Sequence, residues 1–317
     1  MLSFNENNDL NDDLVREVNG IILEKDTNKL VHYAFSKAYD GLSKDDGDDP
    51  YLKPLGKFRI ENLVEGTIIK VFYYDGEWRT GTSRTIDAVY SHWGSEKSFK
   101  ELFLETCKKP EVNIDIESLD KNFCYTFILQ HPEIIIGYDI TISDVIPLNK
   151  INLDTLEVTN LMDGFHVDLE LNQVLDKLCF NNNFMIITDD NKRIKLLSNL
   201  YNYARELLNN NPNLKWAYLE SIQDNRSDEF RNFFPSKIDI FDYVDDKFYD
   251  TVDYLHDLYI LRFIKHDKEC VVPQKLYKTL GQLHGRYKKT KEKTTKKIIY
   301  EHLLGLNTKT LYWILNL

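Results

Sequence analysis

Alternating hydrophobic and polar positions predict a strand-rich first part of the chain. Residues 67–74 are a run of β-branched and aromatic side chains that ends at Asp75-Gly76, and residues 77–82 follow as a hairpin partner. Apolar runs bounded by turn residues predict further strands at 20–23, 30–33, 123–129, 134–138, 184–188 and 193–197. The acidic segment 44–50 is predicted to be a solvated, mobile loop.

Helical periodicity takes over towards the end of the chain. Leu171, Val174, Leu175 and Leu178 recur at helical spacing and predict a helix there. The same spacing predicts helices at 97–107, 201–208, 250–264, 275–287, 294–304 and 308–315. From about residue 226 every predicted element is helical. We therefore expect a β-rich domain over residues 1–225 and a helical C-terminal domain over 226–317.

Composition excludes several classes of protein. With 42% hydrophobic and 13% aromatic residues, the chain is too apolar to be disordered. Its 317 residues suffice for one large domain or two ordinary ones. The net charge of −11 argues against a protein that coats nucleic acid by charge alone. Residues 275–309, however, hold ten Lys or Arg and two Glu, a local +8, so the rest carries −19.

The sequence predicts a cytoplasmic protein, in the host cytoplasm if the source is viral. No apolar run approaches the roughly 18 residues of a membrane span, and the first residues have neither the basic start nor the apolar core of a signal peptide. The four cysteines, at 107, 124, 179 and 270, have the spacing of neither a zinc site nor a disulfide framework. We expect buried free thiols.

Several short motifs follow one another in a characteristic order along nearly the whole chain. They are NGIILE at 19–24, AFSKAYD at 34–40, VEGTII at 64–69, EWR at 77–79, TSRTIDA at 82–88, YTFILQHPE at 125–133, NFMII at 183–187 and RIKLLSNLY at 193–201. This order resembles the RNA ligases of the covalent nucleotidyltransferase superfamily, specifically the phage RNA ligase 1-like group and its giant-virus relatives. The resemblance implies an α+β fold. It consists of a nucleotidyltransferase (ATP-grasp-like ligase adenylation) fold of antiparallel sheets with flanking helices, followed by an all-helical C-terminal domain.

The resemblance also implies that the reaction groups are missing. In that family a lysine amine attacks the α-phosphate of ATP and forms a lysyl-nucleotide. The corresponding position here is Leu63, which has no lone pair. Ile128 and Asn182 fall where acidic residues are expected, and Leu197 replaces one of two phosphate-binding lysines. Since a hard divalent cation favours carboxylates, we predict a pseudoenzyme with no metal ion and no cofactor.

A displaced nucleophile is an alternative. Lys57 lies six residues before Leu63 and Lys70 lies seven after it. On an ideal strand an odd offset places Lys70 on the opposite face from position 63. We interpret both lysines as exposed residues at strand ends. His131 is predicted to belong to a turn, and His284 and His302 to lie at a helix surface or at the edge of the core.

Binding residues remain in two regions. Lys37, Arg84, Arg193 and Lys195, together with Glu65 of the VEG motif, are predicted to line the old nucleotide groove. Trp78 is either a base-stacking residue or a core aromatic of its hairpin. In the tail, a basic stretch provides either phosphate contacts and a stacking surface or a solvated helix end. The tail candidates are Arg286, Tyr287, Lys288 and Lys289.

These observations predict a catalytically inactive RNA-ligase-like protein. It would bind RNA or a nucleotide, with an mRNA 5′ end as the candidate, in a viral mRNA or translation pathway. One alternative is a scaffold subunit of a viral mRNA-processing or translation complex, whose helical tail docks a protein partner. Contact among Leu63, Ile128 and Leu197 would fill the groove and favour the scaffold. The other alternative is a nucleotidyltransferase with a displaced nucleophile. No membrane partner is expected.

Overall fold

The computed structural model describes residues 1–5, 7–33, 35–41, 57–162, 165–189 and 192–317. The predicted acidic loop at 44–50 lies outside these residues. The chain divides into two compact units, Met1–Glu206 and Leu207–Leu317. The second unit begins before the predicted boundary at 225, because the helix Leu214–Gln223 packs against the helix Ile238–Tyr259.

The first unit contains twelve strands among its described residues. In chain order β1 to β12 are Leu2–Ser3, Asn19–Leu23, Leu30–His32, Tyr39–Gly41, Phe58–Asn62, Thr67–Tyr74, Glu77–Gly81, Phe123–Gln130, Asp144–Asn152, Val158–Asn160, Phe184–Thr188 and Arg193–Leu196. Its helices α1 to α4 are Asp13–Glu17, Phe99–Cys107, Leu171–Lys177 and Asn199–Leu208, the last of which crosses into the second unit. Short 3-10 turns lie at Ala88–Tyr90 and Ile116–Ser118.

The strands form three sheets. Their orders are β1-β2-β3, β10-β9-β8-β6-β7 and β4-β12-β11-β5. Every pairing is antiparallel except that of β4 with β12, which is parallel. The mixture of antiparallel sheets and helices confirms the coarse α+β prediction.

The five-stranded sheet is buried on both faces. On one face, Ile69, Val71 and Phe127 pack against Leu102 and Phe103 of α2. Burying each such side chain contributes roughly 1.5–3 kcal/mol. On the other face, a cluster of side chains from β2, β3, β6, β8 and β9 joins this sheet to the three-stranded one. The four-stranded sheet packs through one face on α3, which leaves its other face for a cavity.

The second unit is helical. After α4, helices α5 to α10 are Leu214–Gln223, Ser227–Phe233, Ile238–Tyr259, Tyr277–Thr290, Lys296–Leu304 and Thr308–Leu315. A π-helical turn at Ile260–Ile264 continues α7, and 3-10 turns lie at Pro235–Lys237 and Gln274–Leu276. Tyr218 stacks on Phe241 with ring centres 4.5 Å apart, and Arg231 pairs with Asp242 and Asp245 beside them. The core of this unit therefore includes aromatic side chains that pack on α7.

One predicted strand is wrong, and five strands were missed, namely β1, β4, β5, β9 and β10. Residues 134–138 form no strand, because the apolar run signals burial: Ile134 is fully buried, and the ring of Tyr201 packs so closely against Gly137 that a Cβ there would lie 2.3 Å from it. The longest of the missed strands is β9. It contains Pro147, which sits beside an irregularity in its pairing with β8. Proline ordinarily argues against a central strand, and a bulge is where it is tolerated.

Candidate functional site

A cavity of about 260 Å³ lies in the first unit between the four-stranded and five-stranded sheets. Glu61 and Met185 face it from the four-stranded sheet, and Ile68 and Ile128 face it from the five-stranded sheet. Tyr201 of α4 closes another side. Pockets for small molecules commonly measure about 300–1,000 Å³, so this cavity suits one small ligand or one end of a larger one.

Much of the wall is apolar. The contributing side chains are Leu63, Val64, Ile68, Ile128, Ile136, Leu148, Met162 and Met185. Ile128, Leu148 and Met162 are themselves buried and form one cluster, with Val64 and Ile68 packed against it. A cluster packed in this way offers a fixed apolar surface of the kind that lines small-molecule pockets.

Four basic side chains line the same cavity. They are Lys37, Arg193, Lys195 and Arg205. Arg193 and Lys195 lie two residues apart on β12, so both side chains point to the same face of the sheet. The Arg193 guanidinium lies 5.1 Å from the centre of the Phe35 ring. Burial lowers the pKa of Arg193, and the Glu61 carboxylate opposes that shift.

Two carboxylates face the cations, and both are engaged. Glu61 is buried, and it accepts hydrogen bonds from Arg59 Nε at 2.9 Å and from Asn160 Nδ2 at 3.2 Å. Glu65 is buried as well and accepts a 2.5 Å hydrogen bond from the Tyr201 hydroxyl. Burial raises the pKa of Glu65, while the Tyr201 hydrogen bond and the charges of Lys195 and Arg205 lower it. The cavity lining therefore carries more positive than negative charge.

Four of the five groove residues predicted from the sequence line this cavity. They are Lys37, Glu65, Arg193 and Lys195. Arg205 was missed, although its signal was available: it lies one helical turn after Tyr201, and residues four apart share a helix face. The Arg205 guanidinium lies 5.8 Å from the centre of the Tyr201 ring. Glu61 was also missed, because an acidic residue in a strand usually faces solvent.

The fifth groove residue, Arg84, is exposed and is not part of the cavity lining. Its guanidinium lies 5.3 Å from the centre of the Phe4 ring, and the Lys37 ammonium lies 5.2 Å from the same ring. Arg84 thus sits beside a residue of the lining. Trp78 packs in the sheet, at 5.3 Å from Tyr73 and 6.2 Å from Tyr125 between ring centres. Of its two interpretations, the structure places it as a core aromatic.

The groove is open beside two of the four positions where the resemblance implies reaction groups. Leu63 and Ile128 both lie on the cavity wall, and Leu197 and Asn182 are not among the lining residues. Leu197 is buried, and the Asn182 side chain donates to the Lys177 carbonyl. The side chains of Leu63 and Ile128 thus leave the cavity unfilled.

The prediction for Lys70 was wrong. Its side chain is fully buried, and its ammonium donates to the carbonyl oxygens of Asn19 at 3.0 Å and Gly20 at 2.6 Å. Gly20 has a φ of +81°, and a Cβ there would lie 2.1 Å from Lys70 Nζ. Glycine therefore makes room for the amine. Burial lowers the pKa of Lys70 to about 8. Lys57 is exposed, as predicted.

The predicted tail residues lie on α8 of the second unit. Arg286, Tyr287, Lys288 and Lys289 are all exposed. Arg286 pairs with Glu292 at 2.9 Å. Tyr287 lies at 6.1 Å from His284 in a stacked arrangement, and His284 stacks on Phe263 at 3.9 Å between ring centres. Three rings therefore stack in a row, and the row ends at the exposed Tyr287, which Lys288 and Lys289 follow in the chain.

His131 and the four cysteines do not line the cavity. His131 accepts from the backbone of Glu133 within a turn, as predicted. Cys107 and Cys124 are buried free thiols, whereas Cys179 is exposed and Cys270 is partly so, against prediction. Among the described residues, no group of three His, Cys, Asp or Glu is placed to hold a metal ion. No described helix is both long and apolar enough to cross a membrane.

Comparison with known proteins identifies viral relatives. No protein-family model matches the chain. It is 26% identical over 269 residues to the "Immediate-early protein ICP-46 homolog" of Invertebrate iridescent virus 6, over 74% of this chain and 59% of that protein. It is 29% identical over 137 residues to the protein of the same name in Invertebrate iridescent virus 3, over 40% of this chain and 30% of that protein. The aligned regions thus span less than two thirds of either relative.

A structural comparison gives one further likeness. The chain is similar to a solved structure described as "Putative ATP-dependent DNA ligase from Aquifex aeolicus", with a TM-score of 0.39 and 11% sequence identity, over 86% of this chain and 74% of that one. The predicted viral relatives are confirmed by the two iridescent virus proteins. The RNA-ligase type stays a prediction.

Proposed function

We propose that this protein binds a nucleotide, free or at the 5′ end of an RNA, in the cavity between the two sheets, and that it forms no covalent adduct. The observation that carries the proposal is the cavity lining. Its apolar wall accepts a base, its four cations face phosphate, and leucine stands at position 63. Lys and Arg contacts to phosphate do not require a nucleophile.

The proposed lack of nucleotidyl transfer is supported by the identity of the side chains on the wall. Leu63 cannot attack a phosphorus atom, since it carries no lone pair. Ile128 brings no carboxylate to a divalent cation. The two carboxylates that do line the cavity, Glu61 and Glu65, already accept hydrogen bonds from Arg59, Asn160 and Tyr201. The proposal therefore assigns phosphate binding to the cations of the cavity and no bond-forming role to position 63.

A binding experiment tests the proposal. ATP, GTP and short RNAs with a 5′ hydroxyl, phosphate, triphosphate or cap are titrated against the full chain. Phosphorylated ligands should bind, and Lys195→Ala should weaken them about tenfold or more, since a hydrogen bond to a charged group contributes about 1.5–3 kcal/mol. Lys100→Ala, on α2 away from the cavity, is the matched control and should stay within twofold. Absence of binding, or equal loss in both variants, would contradict the proposal.

A labelling experiment tests the lack of catalysis separately. The protein is incubated with α-labelled ATP or GTP and Mg²⁺ and then run on a denaturing gel. We expect no labelled protein band. A band would establish a covalent nucleotidyl-enzyme and favour the displaced nucleophile. The variants Lys70→Met and Lys57→Met would then show which lysine carries the label.

A second surface for RNA is supported by the helical unit. Lys288, Lys289, Lys291 and Lys293 make no ion pair with any described residue, and they are exposed and follow the exposed Tyr287 within six residues of the chain. Unpaired cations beside an exposed aromatic are the arrangement that tracks a single-stranded backbone and stacks its bases. Protein docking through the same unit is the alternative, and binding to a partner that persists in high salt after nuclease treatment would favour it.

A further inference from the structure

A second cavity of about 210 Å³ adjoins the first one. Ser36 lines both. The second cavity is bounded by α1, by residues of the segment between β3 and β4, by the first residue of β4 and by Lys192. The Phe35 ring lines it, and Arg193 of the first cavity lies over that ring. A ligand in the first cavity is therefore separated from the second cavity by the short chain segment that contains Ser36.

Hydrogen bonds to Arg16 hold the backbone of the chain segment between the two cavities. Arg16 Nη1 donates to the carbonyl oxygens of Lys37 at 3.1 Å and Ala38 at 3.2 Å, and the Lys37 amide donates to the Arg16 carbonyl at 3.0 Å. The Arg16 guanidinium also lies 3.5 Å from the centre of the Tyr39 ring. The same residue thus organises the second cavity and holds the backbone of Lys37, which lines the first.

The lining of the second cavity differs in chemistry from that of the first. It joins three aromatic rings, Tyr33, Phe35 and Tyr39, with the carboxylates of Asp13 and Glu17. Glu17 accepts a hydrogen bond from the Tyr33 hydroxyl, and Asp13 accepts one from the Tyr39 hydroxyl. Each carboxylate retains further acceptor lone pairs.

Rings and carboxylates together favour a nucleobase over a phosphate. Aromatic side chains stack on the face of any base. Carboxylates accept from base N–H groups and repel phosphate. Guanine offers adjacent N–H donors on one edge, which suits a carboxylate acceptor. Arg16 and Lys192 also line the cavity and offset the two negative charges.

We propose that the second cavity is a subsite for the base of the neighbouring nucleotide, so that the protein holds a 5′-phosphorylated dinucleotide step of RNA across both cavities. This inference rests on the proposed function, since the terminal nucleotide must occupy the first cavity.

The experiment compares ligands of different length on the same protein. Affinities of the full chain are measured for AMP and GMP and for the 5′-phosphorylated dinucleotides pApG and pGpG. The dinucleotides should bind tenfold or more tighter than the mononucleotides, consistent with stacking of one further base. In Tyr39→Ala the ratio between dinucleotide and mononucleotide affinity should fall towards one. Glu17→Gln, at an exposed residue, should lower the same ratio if Tyr39→Ala does not fold.

Tyr74→Ala is the matched control, because Tyr74 lies outside both cavities and makes the same kinds of contact as Tyr39. Its hydroxyl donates to the Glu24 carboxylate, and the centre of its ring lies 5.8 Å from the Arg79 guanidinium. It should keep the wild-type ratio. Equal affinity for mononucleotides and dinucleotides in the wild-type protein would overturn the subsite and leave the proposed function standing. Failure of all four ligands to bind would overturn the proposed function itself. A folded Tyr39→Ala or Glu17→Gln protein with the wild-type ratio would also overturn the subsite.

Discussion

A lysine that has no carboxylate partner among the described residues lies inside the five-stranded sheet. Lys70 is opposite Thr126 on β8, which is opposite Asn149 on β9, so the three side chains form a polar row on one face. Neither the Thr126 hydroxyl nor the Asn149 amide group has a hydrogen-bond partner among the described residues. Burial and the charge of Lys70 lower the pKa of the neighbouring His32 to about 3. Within the described part of the chain the ammonium is therefore a buried charge without a counter-ion, which costs stability whenever the amine is protonated.

This charge predicts a pH dependence of stability. Lys70 has a pKa of about 8 in the folded protein against an ordinary value of 10.5, so between these values the unfolded chain holds a proton that the folded one has lost. Stability should therefore rise with pH across that window, by about 3 kcal/mol in total. Lys70→Met should lack the rise, and urea unfolding at a series of pH values measures it. Lys100→Met controls for the loss of a lysine. Parallel pH profiles for the wild-type and Lys70→Met proteins would contradict the prediction.

At the scale of the secondary-structure element, two polar side chains near its N-terminus determine where helix α2 begins. Ser98 Oγ accepts from the Glu101 amide, and the Glu101 carboxylate accepts from the Ser98 amide, which is a capping box. Ser98→Ala should lower the free energy of unfolding by about 1 kcal/mol. Urea unfolding measures the loss. Ser143→Ala, with no side-chain hydrogen bond among the described residues, should stay within about 0.5 kcal/mol. An equal effect of the two substitutions would count against the cap.

Elements with a strong local pattern were predicted well from the sequence. The hairpin of β6 and β7 has both turn residues and alternation, and the structure places β6 at Thr67–Tyr74. Elements shaped by tertiary contacts were not. The run at 134–138 looks like a strand because its residues are apolar, but it forms none: Ile134 and Gly137 are buried, and the Tyr201 ring packs against Gly137. Strand β9 was missed because its proline is tolerated only through an irregularity of the neighbouring pairing.

The candidate site was predictable only where a motif marked it. Lys37, Glu65, Arg193 and Lys195 came from the order of motifs, and all four line one cavity. The second cavity could not be predicted, because it brings α1 against residues more than 170 positions later, such as Lys192. The burial of Lys70 could not be predicted either, since strand parity gives the face of a side chain but not what covers that face.

At the scale of the whole molecule, charge is divided between the two units. The net charge of −11 conceals the +8 of residues 275–309, and the exposed lysines after Tyr287 lie in that stretch. Acidity of the whole chain therefore does not oppose RNA binding by the tail. Because counter-ions are released locally, only the cations that contact phosphate determine the salt dependence.

The exposed lysines after Tyr287, which we call the tail surface, give a prediction that does not depend on the cavity between the two sheets. A single-stranded RNA with a 5′ hydroxyl is titrated over a range of KCl concentrations, so that no terminal phosphate is present. Lys288→Ala combined with Lys289→Ala should weaken binding and reduce the slope of log affinity against log salt by about 1.4, since each phosphate contact on a single strand contributes about 0.7. Lys265→Ala combined with Lys268→Ala removes the same charge from exposed positions elsewhere in this unit and should keep the wild-type slope. An equal reduction in both double variants would mean that total charge acts rather than the tail surface, and an unchanged slope in the first would remove α8 from the RNA contact.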